Sequence, residues 1–294
     1  MKYLKISLAV FFILLVSFFV VKSCVHPKRV PYSEQTESGI PFFSKLVPSL
    51  HIVVAPRPLP ATSEAVPAVP AMGPHMAIVL DDWGKNYSVL QYAIEIHRPL
   101  TLSILPNLSK SRQIAEEAFR NHLGVMLHLP MEPKNKKEPM EPHTILTTMP
   151  KAEILKYVDE GVEAIPHVEG VNNHMGSAAT SDARVMKIVL DRLKIKNLFF
   201  IDSHVVTTTQ GPKTAAEVGI RFASRNVFID NENKLESIKK QLEKAKRIAL
   251  THGEVIVIGH DRKLTLQAIK EMVPVFDEAG VKLVFARDVV KVSK

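Results

Sequence analysis

Five polar clusters in this chain sit directly behind short apolar runs, and they are rich in side chains that bind metals and move protons. Asp81-Asp82 follows Met76-Ala77-Ile78-Val79-Leu80, and His128 follows Val125-Met126-Leu127, with Glu132 a little further on. Asn172-Asn173-His174-Met175-Gly176-Ser177 follows the run ending at Val171. Asp202-Ser203-His204 follows Phe199-Phe200-Ile201, and Gly259-His260-Asp261-Arg262 follows Val255-Ile256-Val257-Ile258. Two adjacent carboxylates cannot both ionise cheaply in a partly buried place without a partner, and a divalent metal or a shared proton solves that problem. Imidazole suits zinc, and a carboxylate can complete the shell. Acids and histidines converging on one face therefore point to a metal-dependent hydrolase.

Each residue also has a plain structural role open to it. Asp81 or Asp82 could cap the next helix. His128 could be a buried histidine bonded to a carbonyl, and Glu132 an exposed loop acid. Asn172-Asn173 suits a turn, with His174 a turn residue beside it. Asp202-Ser203 could begin a loop, and His260 could be solvated. A single site accounts for all of them together better than five separate accidents. His26, His51, His97, His122, His143, His167 and His252 fall in a linker, in helices or in opposite-end loops and read as structural or solvated, while His204 stays open. His75 opens the first strand, at the wrong end for chemistry.

The elements that must position these residues alternate strand and helix from residue 75 onward. Short apolar runs with nothing fit to face water read as strands of a parallel sheet buried on both sides. They are expected at 77–80, 100–105, 125–127, 168–171, 197–201, 220–223, 255–258 and 282–285. Helices are expected near 87–96, 109–121, 150–165, 181–193, 213–218, 235–252 and 264–279, with Ser109 a cap and Pro150 at a first helical position. Leu235, Ile238, Leu242, Ala245 and Ala249 recur at helical spacing. Seven or eight β-α units imply a parallel sheet, open or closed into a barrel, with functional groups at the carboxyl ends of the strands. Adjacent strand residues point to opposite sides, so a turn beginning at Trp83-Gly84 is needed to bring both aspartates into one cleft.

The chain has 294 residues, 46% hydrophobic, and a formal charge of +8. Its basic residues are scattered; the one dense run is Lys134-Asn135-Lys136-Lys137, so nucleic acid is not an expected partner. Residues 1–22 read as a signal-anchor or signal peptide: Lys2 and Lys5 precede the apolar run Ile6 to Val21. Lys22 speaks against a lipoprotein cleavage site at Val21-Lys22-Ser23-Cys24. Residues 23–74 read as a Pro/Ala-rich linker that holds a domain away from a membrane, and residues 75–294 as that domain. The expected location is extracytoplasmic or periplasmic, tethered to the inner membrane. Cys24 is the only cysteine, so the domain has no internal disulfide.

Residues 75–294 resemble the divergent polysaccharide deacetylases, a branch of the carbohydrate deacetylase superfamily. The resemblance is carried by Ala77-Ile78-Val79-Leu80-Asp81-Asp82-Trp83-Gly84, by Val125-Met126-Leu127-His128-Leu129-Pro130-Met131-Glu132-Pro133, by Gly170-Val171-Asn172-Asn173-His174-Met175-Gly176-Ser177, by Phe199-Phe200-Ile201-Asp202-Ser203 and by Ile256-Val257-Ile258-Gly259-His260. It implies a distorted (β/α)7-type barrel. It implies Asp81 as general base, Asp82 and His128 as metal ligands, His260 as general acid, and Asp202 as the acid that orients or tunes the catalytic pair. The superfamily's second histidine, four after the first, is Glu132 here; His174 is the expected replacement in the shell, with Glu132 the other candidate. Asn173 and Ser177 are expected to touch substrate. The implied cofactor is a divalent ion, zinc before cobalt or nickel. The implied reaction removes acetyl groups from an N- or O-acetylated envelope carbohydrate. The alternative is a catalytically silent domain that binds envelope glycan or protein. A phosphoesterase would need a glycine-rich phosphate loop, and the chain has none.

Overall fold

In strand β1 (His75–Trp83) consecutive side chains are buried on opposite faces. Met76, Ile78 and Leu80 join the larger apolar cluster, and Ala77 and Val79 a smaller one. Both faces are covered, which is why the sequence shows an unbroken apolar run rather than alternation. The same split recurs in β3 (Gly124–Met131), β5 (Phe199–Asp202) and β8 (Glu254–His260). There Val125, Leu127, Phe200, Val255 and Val257 face the helices, while Met126, Phe199, Ile201, Ile256 and Ile258 fill the inside of the curl.

This computed structural model describes residues 73–292. The expected anchor at 1–22 and almost all of the linker at 23–74 lie outside the described residues. Among the described residues, no helix is long and apolar enough to cross a membrane. The remaining strands are β2 (Thr101–Ile104), β4 (Gly170–Met175), β6 (Arg221–Ser224), β7 (Val227–Phe228), β9 (Lys282–Val284) and β10 (Lys291–Val292). The helices are α1 (Tyr87–Ile94), α2 (Ser111–Arg120), α3 (Lys151–Ala164), α4 (Ala183–Ile195), α5 (Gly211–Val218), α6 (Leu235–His252) and α7 (Lys263–Glu278). The sheet runs β10-β6-β5-β4-β3-β2-β1-β8-β7, with β9 also on β1; every pairing is parallel except β10 with β6. The strand order carries no pairing of β6 with β7 among the described residues, so the expected distorted barrel takes the form of a curled half-barrel flanked by helices.

Local chemistry explains the helix ends that matter. Asp182 caps α4 by accepting from the Val185 N–H at 2.9 Å. Gly253 stops α6 in the left-handed region, at φ 84°. Ser109 does not cap α2; the helix starts at Ser111, whose hydroxyl instead donates to the Leu105 carbonyl. The larger departures from expectation are strand lengths. The β3–β4 ladder continues through His128↔Asn172, Leu129↔Asn173 and Pro130↔His174. Asn172-Asn173 therefore lie in a buried strand, not in a turn, because neighbouring side chains satisfy the Asn172 amide and backbone groups of Met175 and Ser203 satisfy that of Asn173.

Candidate metal centre

Asp81 and His260 are register partners on the adjacent strands β1 and β8. The pairing of β1 with β2 shifts register between Leu80 and Trp83, and Asp82 adopts φ 66°. A left-handed residue at an irregularity re-aims its side chain, so the bend falls at Asp82 itself, one residue before the expected turn. Both carboxylates thereby reach one cleft. His128, and Asn172 with His174 on the next strand, share one face of the β3–β4 ladder, because positions two apart on a strand point the same way.

Three donor atoms from three strands form a compact triangle. His128 Nε2 lies 3.3 Å from Asp82 Oδ1, His174 Nδ1 lies 3.1 Å from the same oxygen, and the two nitrogens are 3.2 Å apart. A tetrahedral zinc with bonds of about 2.0–2.1 Å needs ligand separations of about 3.3–3.4 Å, so the triangle matches one face of such a shell. It is the group among the described residues whose donors could hold a metal ion. The donor set, one carboxylate and two imidazoles, suits zinc and neighbouring divalent metals.

The electrostatics follow from crowding. Burial pushes the Asp81 carboxyl above its ordinary range, and the nearby His128 only partly offsets this. Burial acts the same way on Asp82, but hydrogen bonds with His128 and His174 outweigh it and hold that carboxyl below the usual range. For His128, burial favours the neutral ring, yet Asp81 and Asp82 prevail and raise it to about 8. His260 is likewise raised: burial opposes its charge, and Asp230 more than compensates.

Asp230 is a partner that the sequence analysis missed. Its Oδ1 lies 2.8 Å from His260 Nδ1, and its Oδ2 accepts from the His260 N–H at 2.8 Å and the Thr265 hydroxyl at 2.7 Å. Phe228 meets the His260 ring edge to face at 5.1 Å. His260 Nε2 is left facing the cleft, 3.7 Å from Asp82 Oδ2. Arg225, also missed, stacks over Phe228 and donates to the carbonyls of Ser203 and His204. The signal for Asp230 was present: Val227-Phe228-Ile229-Asp230 repeats the pattern of an apolar run closed by an acid, in a strand too short to recognise.

Asp81, Asp82, His128, Asn173, His174, Arg225 and His260 line one pocket of about 180 Å³. A groove of about 670 Å³ between β6 and β8 is larger, but it lacks the clustered acids and imidazoles. Four expected residues do other things. Glu132 turns away from the triangle, accepting from the Thr147 N–H at 2.6 Å and pairing with Lys136, so the third donor that could join Asp82 and His128 is that of His174. Asp202 does not bond to Asp81 or His260. Its buried carboxylate accepts from the His204 N–H and the Thr209 hydroxyl, which shapes the loop between β5 and α5. Ser177 accepts from the Lys134 N–H and lies outside the pocket lining. Asn173 lines the pocket, but its amide is spent on the Met175 carbonyl and the Ser203 N–H. His204 is exposed and borders a separate surface hollow.

Residues 78–290 match the family model described as divergent polysaccharide deacetylase. The chain belongs to that family. Among relatives of this chain, the uncharacterized protein YibQ of Escherichia coli (strain K12) is 31% identical over 204 residues, 69% of this chain and 64% of that protein. The match thus spans less than two thirds of YibQ. An uncharacterized protein of Haemophilus influenzae is 30% identical over 195 residues, 66% of this chain and 69% of the relative. The crystal structure of an uncharacterized protein from Agrobacterium tumefaciens C58 superposes with a TM-score of 0.71 at 21% identity, over 74% of this chain and 89% of that one. The catalytic domain of a peptidoglycan N-acetylglucosamine deacetylase from Eubacterium rectale ATCC 33656 gives 0.50 at 11%, over 76% and 92%. A mutant CE4 family pseudoenzyme with restored enzymatic activity also gives 0.50, at 13%, over 74% and 67%. The chain thus has an α/β fold like that of the CE4 deacetylases.

Proposed function

We propose that this protein is a metal-dependent hydrolase that removes acetyl groups from an N- or O-acetylated carbohydrate of the cell envelope. The observation that carries this is the triangle of Asp82, His128 and His174, with Asp81 on one side and the Asp230-backed His260 on the other. Asp82 Oδ1, His128 Nε2 and His174 Nδ1 would hold the ion, and zinc suits them best. When bound, a divalent ion supplies Lewis acidity toward an acyl carbonyl and toward water. Asp81, whose Oδ2 lies 3.7 Å from His128 Nε2, takes a proton from the attacking water. Protonated His260 gives its Nε2 proton to the leaving nitrogen or oxygen, and Asp230 keeps it charged and aimed into the cleft. Such acid–base help contributes about 10²–10⁴-fold in rate.

The alternative, a catalytically silent domain that binds envelope glycan or protein, draws on Glu132 standing where a ligand histidine would be and on the expected membrane tether. The placing of His174 beside Asp82 and His128, with Glu132 engaged by Thr147 and Lys136, supports the hydrolase reading over it. For the whole chain we infer an extracytoplasmic domain, held by residues 1–22 and spaced by residues 23–74. The basic, then apolar, N-terminal sequence supports this.

The test uses the purified full chain in detergent, scored for bound metal and for acetate released from acetylated glycans. Asp82→Ala is expected to lose both, and Asp81→Asn to keep metal while losing activity by about 10²-fold or more. An Asp82→Ala variant with undiminished metal and activity would refute the mechanism. Fractionation of cells tests location: the full chain should follow the inner membrane, and recovery in the cytoplasm would contradict it.

A further inference from the structure

The Asn172 side chain is wholly buried among the site residues, and each end of its amide meets two partners. Nδ2 lies 2.9 Å from Asp81 Oδ1 and 3.3 Å from Ser203 Oγ. Oδ1 lies 2.8 Å from His128 Nδ1 and within a short hydrogen bond of Ser103 Oγ. The neighbours fix which end is which. Ser203 Oγ spends its one proton on the Asn173 carbonyl at 2.9 Å, so toward Asn172 it can only accept, and the amide NH₂ must face it. The NH₂ group then also faces Asp81, and the carbonyl oxygen faces His128. An amide oxygen only accepts, so His128 Nδ1 must carry a proton. In a neutral ring the lone pair then sits on Nε2, the atom in the ligand triangle.

We propose that Asn172 is a positioning residue that serves ligand and base together. Its carbonyl selects the His128 tautomer that presents Nε2 to the cation, and its NH₂ holds the Asp81 carboxylate beside that cation. Ligand histidines are commonly fixed this way by a carboxylate or a backbone carbonyl, and losing such a partner typically costs 10–100-fold in metal affinity. Here a neutral amide does it, which adds no further negative charge to a cleft that already holds Asp81 and Asp82. The inference rests on the metal-dependent reading above, but its tests need no substrate.

The first test uses the unaltered, metal-free full chain. Imidazole ¹⁵N spectra are recorded on the alkaline side of the observed His128 titration, and its signals are assigned by their loss in His128→Gln. An Nδ1–H tautomer is expected; an Nε2–H tautomer would overturn the proposal. The second test compares Co²⁺ binding, followed by visible absorption, in Asn172→Asp and Asn172→Leu. Asp keeps an acceptor for His128 and loses the donor to Asp81, so its Co²⁺ affinity should stay near wild type. Leu removes both, and affinity should fall about 10–100-fold. Folded Asn172→Leu protein with wild-type Co²⁺ affinity would overturn the proposal, and if that variant does not fold, the tautomer of the unaltered protein decides. In Asn172→Asp, kcat for acetate release should fall with little change in KM, and its pH optimum should rise because a second carboxylate now faces Asp81. Co²⁺ binding as expected, with no acetate released by the unaltered protein, would contradict the deacetylase function while leaving the role of Asn172 toward His128 intact.

Discussion

At the scale of single residues, proton and metal compete for the same atoms. In the metal-free protein His128 is raised to about 8, because burial is outweighed by Asp81 and Asp82. A ligand imidazole must be neutral. Metal affinity should therefore be level above about pH 8 and fall by about tenfold per pH unit below it. Isothermal titration with Zn²⁺ across that range checks this, and a flat profile would count against His128 as a ligand. As the proposed acid, His260 carries the opposite requirement, since it must be protonated to act. With its pKa raised, acetate release should be lost on the alkaline side as pH rises through that value. Asp230→Ala removes the compensating charge, so the alkaline limb of the pH–rate profile should move to lower pH, by about one pH unit for each ~1.4 kcal/mol of pairing lost. An unmoved limb would mean that Asp230 only fills space.

At the scale of elements, strand ends do the positioning. The candidate residues were legible because Asp81-Asp82, His128 and His260 each close an apolar run, and a parallel sheet puts such positions on one face. What could not be read was where the strands stop. Polar residues normally announce a loop, yet both asparagines stay in β4: side chains from β1, β3 and the segment after β5 satisfy Asn172, and the Met175 carbonyl and Ser203 N–H satisfy Asn173. Asp230 was hidden by a strand only two residues long. The left-handed backbone at Asp82 has no sequence signal beyond the tolerance of aspartate for it. Gly170 shows how tightly β4 is set. A Cβ there would overlap the buried ring of Phe199, which is wholly enclosed on β5. Gly170→Ala should cost about 1–3 kcal/mol, seen as a lower Tm in a thermal melt. It should also weaken metal binding, because Asn172 and His174 follow on the same strand. A Tm within error of wild type would contradict that packing.

At the scale of the whole molecule, alternation of strands and helices was enough to announce a parallel α/β fold with about seven repeating pairs. Whether the sheet closes depends on which edges meet, and no local pattern encodes that; β10, beyond β6, and β7 are its ends, and among the described residues β6 and β7 do not pair. The half-barrel draws Asp82, His128 and His174 from β1, β3 and β4 into one triangle. An ion that binds only the folded site stabilises it by mass action, about 2.7 kcal/mol at a free concentration of 100 times Kd. Thermal melts of the full chain should therefore rise with added Zn²⁺ and fall with a chelator. Mutation of His174 to Ala should abolish the Zn²⁺-dependent rise, whereas Glu132→Gln should leave it in place.

The most direct measurement is anomalous diffraction at the zinc edge from crystals of this protein grown with Zn²⁺. The arrangement described above requires one strong peak within about 2.0–2.2 Å of Asp82 Oδ1, His128 Nε2 and His174 Nδ1 together. A peak bound to Glu132 or elsewhere, or none at saturating zinc, would contradict it.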